Sequence, residues 1–363
     1  MRGLAAIAVV IMHGTEAFHL GWGPKHAYLA VDFFFLLSGY VIARAFDRRL
    51  QQGWVIGFLL RRTIRLYPFI VVGSLMGFLV LIGRNVTTRS VTLSQAMLDT
   101  LSSLLVIPTP PLLSKEWRMY PADPPLWSLF FELAANALYA LAAPRLRHVH
   151  LWLLVCLSGC GLAWAAVLLN GDDFGLVHFK LASLRVMFSF FLGVAFYRAL
   201  GPYPKRFTLP IVATPLIFAI LGTVLFAPTH VGCAYDLVAV FVVFPAVLLL
   251  ALMSNSGGSW LQAAFVNLGL ASYPVYAVHF PLFWLTSRVL FRNSGLSVRT
   301  FGMAMSLAVV LPLSWLLAKL YDQPVRRWLT ARLANGSPQR NPLSQFVGCV
   351  WNLISRRHLL KKQ

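Results

Sequence analysis

Two groups of residues in this sequence have the spacing and chemistry for a reaction at a membrane. The first is Arg2 and His13, in the stretch RGLAAIAVVIMHGTEAFH at the start of the chain. The two are eleven residues apart. Eleven steps of about 100° bring both side chains to nearly the same helix face, roughly 16 Å apart along the axis. Gly3 to Ile11 carry no charge and no ring, and with Phe18 the run is long enough to enter a bilayer as a helix. The arginine then lies at one membrane surface and the imidazole near mid-depth. An imidazole titrates near neutral pH, so His13 suits a general base or a nucleophile. Glu16, three positions on, shares the face and is placed to orient it. Ionisable groups are costly in hydrocarbon, so a buried His13 and Glu16 on one face predict a polar cavity. The competing reading is a structural histidine bonded to a neighbouring helix, and this helix alone supports both equally.

The second group is Arg62 and Arg65, in RRTIRLYP. Three apart on a helix, they can face one way, and guanidinium forks bind phosphates. Contact with lipid headgroups is the competing account. Two further sites lie inside apolar runs. Glu132, in PLWSLFFEL, needs a partner or a cavity at that depth. Ser272, Tyr273, Tyr276 and His279 form a polar stripe on an apolar helix that Pro274 and Pro281 would kink. An interfacial tyrosine belt with a packed histidine is the plainer reading of that stripe. Asp32 reads as an exposed helix-end acid. Cys156 and Cys160, one turn apart, read as packing and not as a metal site.

The elements that must hold these residues are membrane helices. The chain has 363 residues, 58% hydrophobic and 12% charged, with mean hydropathy +0.72. That charged fraction is about half the soluble average, so this is one polytopic all-α bundle. Ten spans are expected, at about 3–18, 29–46, 66–83, 126–143, 151–169, 181–200, 209–226, 237–253, 268–291 and 300–321. The first shows no cleavage site and is expected to stay as an anchor. Residues 96–106 are apolar but too short to cross, and predict a re-entrant or surface helix. The proline-rich stretch to Pro125 predicts irregular backbone, and Asn170 to Asp173 a turn. A net charge of +20 invites a nucleic-acid reading. Its distribution argues against one. Lys and Arg concentrate in connections 47–65, 144–150 and 198–207 and after residue 321, while 20–28, 170–180 and 227–236 carry few. That pattern puts both termini in the cytoplasm. Arg84, Arg89, Lys115 and Arg118 fall on the outer side, in a long loop where the rule is weak. The tail from Pro342 reads equally as an interfacial helix or a disordered basic segment.

In order along the chain, RGLAAIAVVIMH, VDFFFLLSGYVIAR, RRTIRLYP, PLWSLFFEL, SYPVYAVHFP and LYDQPVRRW resemble the acyltransferase-3 family of integral-membrane O-acyltransferases. The six motifs run from Arg2 to Trp328, so the resemblance implies a membrane acyltransferase domain over 1–328 and a basic tail over 329–363. It implies an acyl-CoA donor, usually acetyl-CoA, used from the cytoplasm as a substrate and not as a bound cofactor. It implies that Arg2 and His13 are central to activity, that Arg62 and Arg65 help hold the donor, and that Glu132 and His279 are recurrent positions. Family members usually carry several residues, often Leu-Asp, before the first arginine, where this sequence has Met1 alone. No soluble esterase-like domain is expected after the tenth span.

The expected activity is transfer of an acyl group, acetyl above all, to a hydroxyl of an envelope or exported glycan or lipid-linked saccharide, in the inner membrane. Its expected catalytic residues are His13, Glu16, Glu132 and His279. Arg2, Arg62 and Arg65 would hold the donor, with no metal and no nucleic acid involved. The alternative class is a proton-coupled transporter. Such carriers often show repeated halves, and no clear repeat relates residues 1–165 to 180–320.

Overall fold

In a computed structural model the chain is described over residues 1–110, 118–168, 179–201, 213–227, 232–254, 259–291 and 294–335. The expected turn at 170–173, Lys115, and the tail from 336 lie outside the described residues. The described residues are helical and contain no strand element. The helices are α1 (Arg2–Ala17), α2 (Ala30–Gln51), α3 (Val55–Thr88), α4 (Leu93–Leu105), α5 (Leu126–Ala142), α6 (His148–Leu168) and α7 (Phe179–Leu200). They continue with α8 (Ala213–Leu225), α9 (Cys233–Val238), α10 (Phe244–Met253), α11 (Ser259–Val289), α12 (Leu296–Leu317) and α13 (Gln323–Asn335).

Each of the ten expected spans overlaps described helical residues, with 169 and 209–212 outside the described part. Among the described residues six stretches are long and apolar enough to cross a membrane, by length and composition: 27–51, 55–86, 148–168, 179–200, 233–253 and 296–332. Of the other four, α11 has 31 residues and lies outside these six stretches, while the shorter three are α1 with 16 residues, α5 with 17 and α8 with 13. All three are shorter than the roughly 20 residues that cross hydrocarbon unaided. The basic connection expected at 47–65 is not a separate piece. From Val55 it is the first part of α3, a single 34-residue helix that passes through Pro68. The apolar helix expected near 96–106 is α4, started by a capping box between Thr92 and Gln95. Leu93, Met97, Leu101 and Leu105 form an exposed row along it, while Ala96, Asp99 and Ser103 face inward.

Helix α1 is central because its residues are small. Ala5, Ala6, Ala8 and Val9 are buried, which lets the neighbouring backbones come close. Its main neighbour is α11. Close approach is tighter still where α2 crosses α7. A Cβ on Gly39 would strike the Phe190 carbonyl, and one on Gly193 would lie 2.7 Å from the Tyr40 nitrogen. Only glycine fits both positions at that crossing.

Buried charge joins the same two helices. Asp32 is 1% exposed and Arg185 2% exposed. Arg185 Nε donates to Asp32 Oδ1 at 3.1 Å, and its Nη2 also donates to Asp32 and to the Tyr28 carbonyl. The reading of Asp32 as an exposed helix-end acid is therefore corrected: it is the interior anchor between α2 and α7. At the other end of these helices Arg198 Nη2 donates to Asp47 Oδ1 at 2.7 Å, and Tyr139 of α5 donates to the same carboxylate. Cys156 and Cys160 are also corrected, since both are exposed on the outside of α6 and not packed within it.

A buried ion pair that loses one member leaves an uncompensated charge, at a cost of about 3–5 kcal/mol. Asp32→Ala should therefore lower the melting temperature of the detergent-solubilised protein strongly. A double Asp32→Leu, Arg185→Leu variant should recover much of that loss. If Asp32→Ala melts with wild type, the pair does not hold α2 to α7.

Candidate active site between helices α1 and α11

His13 and Glu16 lie in the last turn and a half of α1, on its cavity-facing side. Glu16 Oε2 sits 3.2 Å from His13 Nδ1. A carboxylate only accepts, so Nδ1 donates and the lone pair of the neutral ring sits on Nε2. The carboxylate thus fixes the tautomer that can take a proton. Neither side chain is sealed in packing: the His13 side chain is 22% exposed and that of Glu16 53%. Both face a cavity of about 1010 Å³, whose walls also include Met12, Val31, Trp127 and Tyr276.

The polar stripe on α11 arrives from the other side. The His279 ring stacks on that of His13, with centroids 5.3 Å apart and planes inclined by 27°. His279 is fully buried. Its Nδ1 donates to the Val275 carbonyl at 2.9 Å, which again leaves the lone pair on Nε2. That Nε2 is buried without a partner. A buried acceptor without a donor is costly, so this atom is the one in the site most in need of a hydroxyl. One turn earlier, Tyr276 Oη lies 2.8 Å from Ser128 Oγ of α5. Phe280 packs edge-on against His13. Two imidazoles, each held at Nδ1, therefore stack, with His13 on the cavity wall and His279 fully buried against it.

The arginines gather at the opposite end of α1. Arg62 is buried and paired with Glu132, whose Oε1 also accepts from Ser38 Oγ at 2.9 Å. Arg2 lies 5.8 Å from the Phe34 ring, close enough to feel the charges of Glu132 and Arg65. Tyr273 sits among the same four charged groups. Arg65 differs from Arg62: it is exposed. The two arginines thus do not face one way. Arg62 turns in to neutralise Glu132, and Arg65 stays open to a ligand. Glu132 belongs to this cluster and is absent from the cavity wall that holds His13. A separate open cavity of about 920 Å³ lies over Asp47, Arg145, Arg147 and Arg198 and shares no residue with the first.

Sequence reasoning did not single out Arg185, Trp284 or Arg288, all of which line the His13 cavity. Arg185 follows Asp32 by 153 positions. Sequence offers no sign of that pairing beyond an arginine inside an apolar run, which is itself a signal.

Comparison with known proteins defines the class. The model of the acyltransferase-3 family, described as an acyltransferase domain, matches residues 1–318. The chain belongs to that family and is a multi-pass membrane acyltransferase. Among its relatives is "Protein 2 in picA locus" of Rhizobium radiobacter, 34% identical over 177 residues, covering 46% of this chain and 91% of that one. A protein of Komagataeibacter xylinus, provisionally named membrane-bound transacylase BcsY, is 27% identical over 310 residues, covering 80% of this chain and 73% of that one. No solved structure matches the chain.

The stacked pair separates two roles for His279. His279→Phe keeps an aromatic ring against His13 but loses Nε2. Acyl transfer in membranes should stay near wild type, with protein level near normal. A fall by about 10²–10⁴ in this variant would instead give Nε2 a part in the chemistry.

Proposed function

We propose that this enzyme moves an acyl group, most simply acetyl, from cytoplasmic acyl-CoA to a hydroxyl of an envelope or exported glycan. One observation carries the reading. His13, its ring stacked on that of buried His279, lies on a cavity at one end of α1, and the arginine cluster lies at the other. Donor phosphates and acceptor sugar can then approach from opposite ends and meet at the imidazoles. CoA phosphates do not enter hydrocarbon, so they stay at the arginine end. Exposed Arg65 and the half-buried Arg2 are the groups there that can take them. Arg62 helps from behind, because its own charge is met by Glu132. The pantetheine arm reaches inward, and the roughly 16 Å of helix between Arg2 and His13 is a span that such an arm can bridge.

The chemistry follows from the lone pair on His13. His13 Nε2 takes the proton from the acceptor hydroxyl as its oxygen attacks the thioester carbonyl. The C–S bond breaks and the CoA thiolate leaves. The imidazolium, steadied by Glu16, returns its proton to that sulfur. His279, whose own Nε2 is buried, stacks on the His13 ring and holds it toward the cavity. In the variant of this route with a covalent step, His13 Nε2 itself attacks the thioester and then passes the acyl group on. In either route Glu132 positions Arg62 and does not touch the reacting atoms. The basic connections and both termini face the cytoplasm of a bacterial inner membrane on this reading, as the Lys and Arg distribution supports.

His13→Ala and His13→Gln should each remove transfer by about 10²–10⁴ while membrane insertion stays near normal. Glutamine keeps a hydrogen bond but takes no proton at neutral pH. If it sustains near-wild-type transfer, His13 is structural and the reading fails. Acyl label trapped on wild-type protein, and missing from both variants, would select the covalent route. The arginines should also divide. Arg65→Ala should raise the KM for acetyl-CoA with a normal protein level, whereas Arg62→Ala should lower the level as well, because it strands Glu132. Equal behaviour of the two would contradict the division of roles.

A further inference from the structure

The His13 cavity has an apolar wall that the transfer chemistry does not use. Val9 and Met12 come from α1, Val31 from α2 and Trp127 from α5, and all four line the cavity that His13 faces. Each is at most 9% exposed, so this wall belongs to the packed bundle and not to its lipid-facing surface. Val9 stands four residues before His13, on the same helix face and one turn nearer Arg2. Side chains on a helix lean toward its N-terminus, so the His13 ring leans over the turn that holds Val9. A thioester carbonyl in reach of that ring has its acyl substituent beside Val9 and the wall around it.

Trp127 is the largest of the four and is held on three sides. Its indole packs edge-on against Phe35 of α2, with centroids 6.4 Å apart, and against Phe131, one turn on in α5, at 6.1 Å. The Arg185 guanidinium carbon lies 5.9 Å from its centroid, and Arg185 is fixed in turn by Asp32. In a close-packed interior a ring gripped in this way has no room to swing aside for a longer chain. Met12 is unbranched and adapts its shape more readily. A rigid wall discriminates by length: one methylene too many or too few in an apolar pocket changes selectivity by about 10–200-fold.

We infer that Val9, Met12, Val31 and Trp127 hold the acyl chain of the donor, and that the Trp127 indole ends this pocket and sets the length of acyl group taken. The substrate class is a short apolar acyl chain. This rests on the proposed transfer from acyl-CoA, and deepens it by naming the residue that selects among acyl groups.

The test is binding of acetyl-, butyryl- and hexanoyl-CoA to the full-length protein in nanodiscs, measured by calorimetry without acceptor. Each affinity is expressed relative to that of free CoA for the same variant, so a general loss of donor binding cancels. Wild type should bind acetyl-CoA about tenfold or more tightly than hexanoyl-CoA. Trp127→Phe keeps a ring against Phe35 and Phe131 while shortening the wall, and should raise butyryl-CoA about tenfold relative to acetyl-CoA. Trp127→Ala should extend that gain to hexanoyl-CoA. Val9→Leu adds a methylene to the pocket from another helix and should lower butyryl-CoA relative to acetyl-CoA by a similar factor, which keeps the test decisive if the α5 variants do not assemble. Wild-type affinity for hexanoyl-CoA equal to that for acetyl-CoA, or ligand ratios that none of the three variants changes, would overturn the inference. Transfer to glycan is read separately in membranes, so chain-dependent binding without transfer would count against the acyl-transfer reading alone.

Discussion

Arg62 of α3 and Glu132 of α5 are both buried, and neither could remain charged there without the other. That one pair fixes where much else in the bundle can go. It ties α3, which brings Arg62 and Arg65 to the Arg2 end of α1, to the helix whose Ser128 reaches Tyr276. It cancels one positive charge in a cluster of three, so Arg2 and Arg65 can sit nearby without forcing the helices apart. The same constraint recurs at Asp32 with Arg185 and at Asp47 with Arg198. In each case an acid on one helix meets a base on another, and the bundle's register is set where the charges meet.

Buried polar atoms without a partner remain at several places in the bundle, His279 Nε2 among them. His13, Glu16 and His279 line or adjoin a cavity, and they do not neutralise one another fully. The Nε2 of His279 has no partner in the protein. The helix-joining acids Asp32, Asp47 and Glu132 each meet an arginine inside the bundle, whereas His13 and Glu16 face an open cavity. On the proposed reading, that contrast separates Glu132, which holds Arg62, from His13, which faces the substrate.

Much of this was legible in the chain itself. The α1 geometry follows from helix periodicity, so the shared face of Arg2, His13 and Glu16 could be read from spacing, and the contact between His13 and Glu16 is present. The i, i+3 relation of Tyr276 and His279 likewise gave the α11 stripe. Long-range partners were not legible. Nothing local links Asp32 to Arg185 or Arg62 to Glu132, because hydrophobic periodicity states that a face is buried and not what it meets. For that reason the sequence alone suggests an exposed Asp32 and a matched pair of Arg62 and Arg65. Helix ends were also hard to place. The basic run before Leu66 has the composition of a loop, yet it continues α3 without a break.

The central claim is that donor and acceptor enter from opposite ends of α1 and meet at the two histidines. Sealed proteoliposomes with the protein in one known orientation test it directly, with labelled acetyl-CoA and glycan each confined to one side. The account predicts transfer only when acetyl-CoA is on the side of Arg65 and the glycan on the side of Glu16. Equal transfer with both substrates supplied on the same side would contradict it.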